Sequence, residues 1–201
     1  MNKRVSLVLF TVAVTVVFIA PITFLHLLTK PIVALNEEAF LKRAVLSAAG
    51  VDLPATNAEV KDVFDRRVDV LPSEARGEPV YRMKDESGGT AGWVITRTGP
   101  GLWGDIVMVV GFAADRQRLT GIEFLKQSET PGLGARISEA WFKQQFKGKR
   151  GPFTTVGEGE PSKESEFDAV IRARVDHDYY GWEVATARAI ESGIKKAYKK
   201  G

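Results

Sequence analysis

Leu119–Ile137 reads LTGIEFLKQSETPGLGARI, and its two halves follow different rules. Over Leu119–Lys126, Ile122 and Phe124 flank Glu123 in alternation, which predicts a strand. From Ser128 to Ile137 that period is gone. Pro131 fixes a turn there, while Gly132 and Gly134 let the backbone approach a flat ligand and expose its N–H groups. The same composition suits a plain connection from strand to helix. By itself the loop assigns no function.

On the N-terminal side, Pro79–Lys84, Ala91–Arg97 and Asp105–Ala113 also read as strands. DESGG, TGPG and ADRQ separate them as the turns of an antiparallel meander. On the C-terminal side, Ser138 is placed to cap a helix, SEAWFKQQFKGK, with Trp141, Phe142 and Phe146 as its apolar side. A loop rich in Gly, Glu and Lys leads to a strand over Phe167–Val175. A final helix over Trp182–Tyr198 carries Val184, Ala187, Ile190, Ile194 and Ala197 at helical spacing. Upstream, after a short connector with Pro31, Asn36 reads as the cap of a helix with Phe40, Leu41, Val45 and Ala48 on one face, ended by Gly50. A shorter helix is expected over Ala58–Arg67, with Val60, Val63 and Phe64 sharing a face. The expected fold class is α+β, one mixed and largely antiparallel sheet flanked by helices.

Ahead of this domain lies VSLVLFTVAVTVVFIAPITFL, Val5–Leu25, with no charged residue. That length spans a hydrocarbon core of roughly 30 Å. A cleaved signal peptide is the rival reading, but the run exceeds a usual apolar signal region and no small-x-small site follows promptly. Lys3 and Arg4 precede the run and Lys30 follows it. The positive-inside rule therefore favours a cytoplasmic N-terminus. The expected organisation is a cytoplasmic stub and transmembrane helix over residues 1–30, then an extracytoplasmic domain over 31–201, in the inner membrane of the cell. Pro21 reads as a tolerated kink, and His26 as an interfacial residue, since no other metal-ligating side chain adjoins it.

The totals limit the chemistry. Among 201 residues there is no cysteine, which excludes disulfides, thiol catalysis and cysteine-ligated iron–sulfur clusters. A net charge of +3 with short basic runs at the ends gives no nucleic-acid footprint. Asp176-His177-Asp178 is the densest ionisable cluster, but neighbouring residues of a strand point to opposite faces, so no metal site is assigned. Neither an acid–base pair nor a triad is visible. Redox chemistry would have to come from a bound cofactor.

Three linked segments go further: GLWGDIVMVVGF at Gly101–Phe112, LTGIEFLKQSETPGLGARI, and WFKQQFKGK at Trp141–Lys149. In this order and spacing they resemble the FMN-binding domain shared by the G subunit of the Rnf electron-transport complex and the C subunit of the sodium-translocating NADH:quinone reductase. Length favours the Rnf type. The resemblance implies a membrane-anchored electron-transfer subunit that binds FMN and works beside other membrane subunits of an ion-translocating redox complex. The candidate cofactor-binding residues that follow are Leu102, Trp103, Gly104, Glu129, Thr130, Pro131, Gly132, Leu133 and Gly134. The same reading expects N–H donors from Gly132–Gly134 to favour the anionic reduced flavin.

Members of that family carry FMN on a threonine, in a Ser/Thr-Gly-Ala-Thr motif between a strand beginning Phe-Asp and the final helix. Here Phe167-Asp168-Ala169-Val170 is followed by Ile171-Arg172-Ala173-Arg174, with no hydroxyl. Aligned on the final helix instead, the attachment position falls on Val184, and only a shifted helix brings Thr186 into place. A phosphoester needs an oxygen nucleophile. Arg172 and Arg174 can hold a phosphate without a covalent bond, or can lie on a solvated strand face. Tyr179, Tyr180 and Trp182 offer faces for stacking. Two other functions fit the broken motif: a flavin-free assembly subunit keeping the fold, and a binding module for another phosphorylated ligand.

Overall fold

The structure, a computed structural model, describes residues 2–72, 78–150, 154–156 and 166–168. The expected final helix, Arg172, Arg174, Thr186 and the aromatic cluster at 179–182 lie outside the described residues. The chain divides into two compact units, Met1–Ala39 and Phe40–Gly201.

The first unit is helix. A single helix, α1, runs Lys3–Ala48 with Pro21 and Pro31 inside it. This corrects the expected connector at Pro31 and the cap at Asn36. Each proline removes one N–H from the ladder, but beside apolar surroundings the remaining backbone groups are best satisfied by keeping the helix. Asn36 has no helix end to cap. The described side chains of this unit are exposed nearly throughout, and α1 is long and apolar enough to cross a membrane. Three of its threonine hydroxyls bond back to the preceding turn: Thr11 donates to Leu7 O at 3.0 Å, Thr15 to Thr11 O at 2.8 Å and Thr29 to Leu25 O at 3.0 Å. That arrangement suits a helix with no water beside it.

The second unit begins with the last turns of α1, where Ala44, Val45, Leu46 and Ala48 are buried and Phe40 is exposed. Gly50, at φ +76°, ends the helix. Its N–H donates to Ser47 O and that of Val51 to Leu46 O, the paired bonds of a Schellman stop. Helix α2, Asn57–Arg67, starts at a capping box. Thr56 accepts from Glu59 N, and the Glu59 carboxylate accepts from Thr56 N. Arg43 seals the entry, donating to Asn57 Oδ1 and to the carbonyls of Pro54 and Ala55.

Five strands follow: β1 Val68–Leu71, β2 Val80–Lys84, β3 Thr90–Pro100, β4 Asp105–Ala113 and β5 Leu119–Lys126. They form an antiparallel sheet in sequence order. β1 has no counterpart among the strands expected from the sequence. β3 also extends through Thr98, Gly99 and Pro100, so the turn before β4 is Gly101–Gly104 rather than TGPG. Two turns are held by carboxylates. Asp85 accepts from Ser87 N, Ser87 Oγ and Gly89 N, and Asp115 from Gln117 N and Arg118 N.

The sheet buries both faces. On one, Tyr81, Met83, Val94 and Val109 pack with Val45, Leu46, Val60 and Phe64 of the helices. Gly111 and Gly121 open this face to the end of α1. A Cβ on Gly111 would collide with the Ala48 carbonyl, and one on Gly121 would lie 3.1 Å from the same oxygen. Thr120 Oγ1 donates to that carbonyl at 2.6 Å. On the other face, Ile106, Met108, Val110, Phe112, Ile122 and Phe124 pack with Ile137, Phe142 and Phe146. Those last three come from a 3-10 turn, Gly134–Ser138, and from a short helix α3, Ala140–Gln144, with the residues just after it. The long helix expected from Ser138 is thus corrected: Ser138 closes the 3-10 turn, and Glu139 precedes α3 without a side-chain cap. With the extended Glu139 between the 3-10 turn and α3, Ile137, Phe142 and Phe146 all pack in the same core. Two short parallel strands, β6 Thr154–Val156 and β7 Glu166–Asp168, complete the described structure. β7 covers Phe167 and Asp168 of the strand expected over Phe167–Val175, and the rest of that strand lies outside the described residues.

The two-loop candidate ligand site

β4 and β5 are neighbours, so the segment entering β4 and the segment leaving β5 lie at the same end of the sheet. Nine of the residues singled out in the sequence fall on these two loops. Gly101–Gly104 is a tight turn, closed by Gly101 N donating to Gly104 O at 2.9 Å. Leu133 N and Ala135 N both donate to Thr130 O at 3.1 Å, which curls residues 130–135 into a second compact turn.

Glu129 joins the two. It is 6% exposed, and its Oε1 accepts from Leu102 N at 2.9 Å and Trp103 N at 3.3 Å. Glycines make room for it. A Cβ on Gly101 would strike Oε1, and one on Gly134 would lie 3.0 Å from Glu129 Cβ and Oε2. Further out, Trp103 Nε1 donates to Thr130 Oγ1 at 3.1 Å. Its ring remains 60% exposed.

The outer surface of this pair of loops is aromatic and open. Pro131 and Gly132 are exposed, and nothing lies within 4 Å of where a Gly132 Cβ would stand. Gly132 sits at φ +74°, a conformation glycine adopts without the strain a side chain brings. Leu102 and Leu133 are half-buried beside them. A planar ring system can lie against Trp103 and approach the turn at Gly132 closely. The expected set of free donors is smaller than the sequence suggested, because the Leu133 N–H is committed to Thr130 O. Residues 129–134 carry no basic side chain that could hold a phosphate. Among the described residues no cluster of His, Cys, Asp or Glu could hold a metal ion.

The burial and partners of Glu129 could not be read from the sequence, since its two acceptor contacts reach 26 and 27 residues back along the chain. The available signal was the glycine spacing around it, Gly101 and Gly134.

Residues 101–173 match the family of the FMN-binding domain. The chain is 33% identical over 114 residues to the G subunit of the ion-translocating oxidoreductase complex of Methanosarcina acetivorans, covering 55% of this chain and 53% of that protein. It is 33% identical over 102 residues to the C subunit of the Na(+)-translocating NADH-quinone reductase of Neisseria meningitidis serogroup A, covering 51% and 38%. The chain therefore spans about half, or less, of the length of these relatives. The crystal structure of Shewanella oneidensis NqrC superposes with a TM-score of 0.63 at 21% identity, covering 82% of this chain and 97% of that one. At that identity the likeness establishes the fold. The α+β architecture and the family resemblance read from the sequence both stand.

Proposed function

We propose that this chain, whose residues 101–173 match the FMN-binding domain family, is a membrane-anchored electron-transfer subunit of an Rnf-type ion-translocating redox complex. The observation that carries this reading is the pairing of the Gly101–Gly104 and Glu129–Ala135 turns beneath an exposed indole. A flavin is planar, and this surface offers a ring to stack on, a glycine that admits close approach, and leucines at its sides. Bound FMN supplies reversible one- and two-electron chemistry, and the protein supplies orientation and electrostatics. Trp103 provides the face, Thr130 fixes the plane of the indole, and the turn at Pro131–Gly132 sets the edge. Arg172 and Arg174 are the proposed phosphate holders, as charge-assisted donors.

The names of the relatives support a place beside other membrane proteins of a complex, and α1 supports the membrane location. The soluble unit is proposed to face the extracytoplasmic side, on the strength of Lys3 and Arg4 ahead of the apolar run.

The sequence at 171–174 favours one second reading, a flavin-free subunit that keeps the fold for assembly. Purification from cells that make the flavin-transfer enzyme and the partner proteins separates the two. A yellow protein that loses its flavin on denaturation is expected. Fluorescence kept by the denatured chain would indicate a covalent link, with Thr186 the position to map. A colourless preparation that also fails to bind added FMN would overturn the flavin reading.

A further inference from the structure

We infer that Glu129 is a positioning residue that holds the Trp103 turn in its ligand-ready form, rather than a group that touches the ligand. This rests on the flavin reading above.

The carboxylate is directed inward, to the backbone of the other loop. Leu102 N and Trp103 N converge on a single oxygen, Oε1. Two donors on one carboxylate oxygen fix both position and direction, and hydrogen bonds to a carboxylate are stronger than neutral ones. Remove that acceptor and two backbone N–H groups at the base of the turn lose this partner. Two further ties reach the tip of the turn, the Gly101 N to Gly104 O bond and the Trp103 indole to Thr130 hydroxyl bond. The second of these is exposed, so water competes for it.

The surroundings are shaped to this one side chain. Gly101 leaves space for Oε1, and Gly134 for Cβ and Oε2. Glu129 N itself donates to Gln127 Oε1 at 2.8 Å, which steadies the backbone from which the side chain extends. Ile106, at the base of the same turn, is buried in the sheet core and would also meet a Gly101 Cβ, at 3.0 Å. A buried carboxylate thus connects the turn that carries the ligand-facing ring of Trp103 to the segment leaving the rigid sheet.

The test uses the full chain in detergent and two measurements, amide hydrogen exchange without flavin and titration with FMN. Glu129→Ala is expected to speed exchange across residues 101–104 by about tenfold or more, with β4 unchanged, and to weaken FMN binding by a similar factor. Glu129→Gln keeps an acceptor oxygen and is expected to recover most of both. Gly134→Ala retains the carboxylate but presses on the Glu129 side chain alone, and should shift both readouts in the direction of Glu129→Ala. Unchanged exchange at 101–104 in Glu129→Ala overturns the positioning role. So does faster exchange with unaltered FMN affinity. Should Glu129→Ala unfold the sheet, seen as faster exchange in β4, the Gln and Gly134 variants decide the question alone. Failure of the wild-type chain to bind FMN would instead overturn the flavin reading, leaving the exchange result as the measure of the contact.

Discussion

Trp103 Nε1 donates to Thr130 Oγ1 across 3.1 Å, so the exposed indole of one loop is oriented by a hydroxyl of the other. The bond joins residues 27 apart in sequence and sits on the exposed surface proposed for the flavin. Its removal should be felt in binding before it is felt in folding. Trp103→Ala is expected to weaken FMN binding roughly two- to tenfold, the worth of one aromatic stacking contact. Trp103→Phe should lose less, since a ring remains. Thr130→Val should fall with Trp103→Phe, because each removes one end of the same bond. Flavin fluorescence quenching reads all three, and equal affinity for wild type and Trp103→Ala would count against the indole as a platform.

The approach of the end of α1 to the sheet is set by an absent side chain. A Cβ at Gly111 would collide with the Ala48 carbonyl, which is backbone and cannot rotate away. Gly111→Ala is therefore expected to destabilise the second unit by about 1–3 kcal/mol, as overpacking of a core does. Thermal denaturation followed by circular dichroism would show it as a drop of several degrees. Thr120→Val, which loses only the 2.6 Å bond to the same carbonyl, should cost less. A Gly111→Ala variant as stable as wild type would mean that the helix end is not held against the sheet.

The parts of this structure legible in the sequence are those where local pattern and tertiary placement agree. The bounds of β4 and β5 can be read directly, because both are apolar strands in a sheet buried on two faces and both end at turn residues. β1 leaves no such trace. It follows Arg67 with no turn residue between, and the alternation of Val68, Asp69 and Val70 is too short to stand out from the end of the helix before it. α1 reads as two helices because Pro31 and Asn36 carry stop and start signals that a continuing ladder overrides. At the site, the turn residues of 129–134 announce a special loop, while its pairing with 101–104 comes only with the register of β4 on β5.

Acid should loosen one edge of the sheet. Arg82, and then Lys84, hold the Asp69 carboxyl below its ordinary value of 3.8 by hydrogen bonding to it. A carboxyl whose folded pKa is depressed adds stability above its unfolded pKa and loses that contribution as pH falls through the folded one. The melting temperature of wild type should thus exceed that of Asp69→Asn most at neutral pH. The difference should shrink as pH drops below 3.8. Because the carboxylate is still reached by solvent, added salt should shrink it too. A gap that is constant with pH would show that the ion pairs contribute nothing through charge.

Orientation across the membrane can be measured with little engineering, because the chain contains no cysteine. A single cysteine then reports one position without any background to remove. Ala114, in the exposed turn between β4 and β5, and Asn2, just before α1, mark the two sides of the apolar run. If Lys3 and Arg4 hold the N-terminus in the cytoplasm, Ala114→Cys should react with a membrane-impermeant maleimide in intact spheroplasts. Asn2→Cys should react only after permeabilisation. The reverse pattern would place the second unit on the cytoplasmic side and overturn the proposed orientation. Placing an arginine at Val17, in the middle of the run, should cost about 2.5–3.5 kcal/mol of insertion. Much of that variant should then be recovered in the soluble fraction after carbonate extraction, where wild type stays in the membrane pellet. Wild type released by carbonate would mean that α1 does not span.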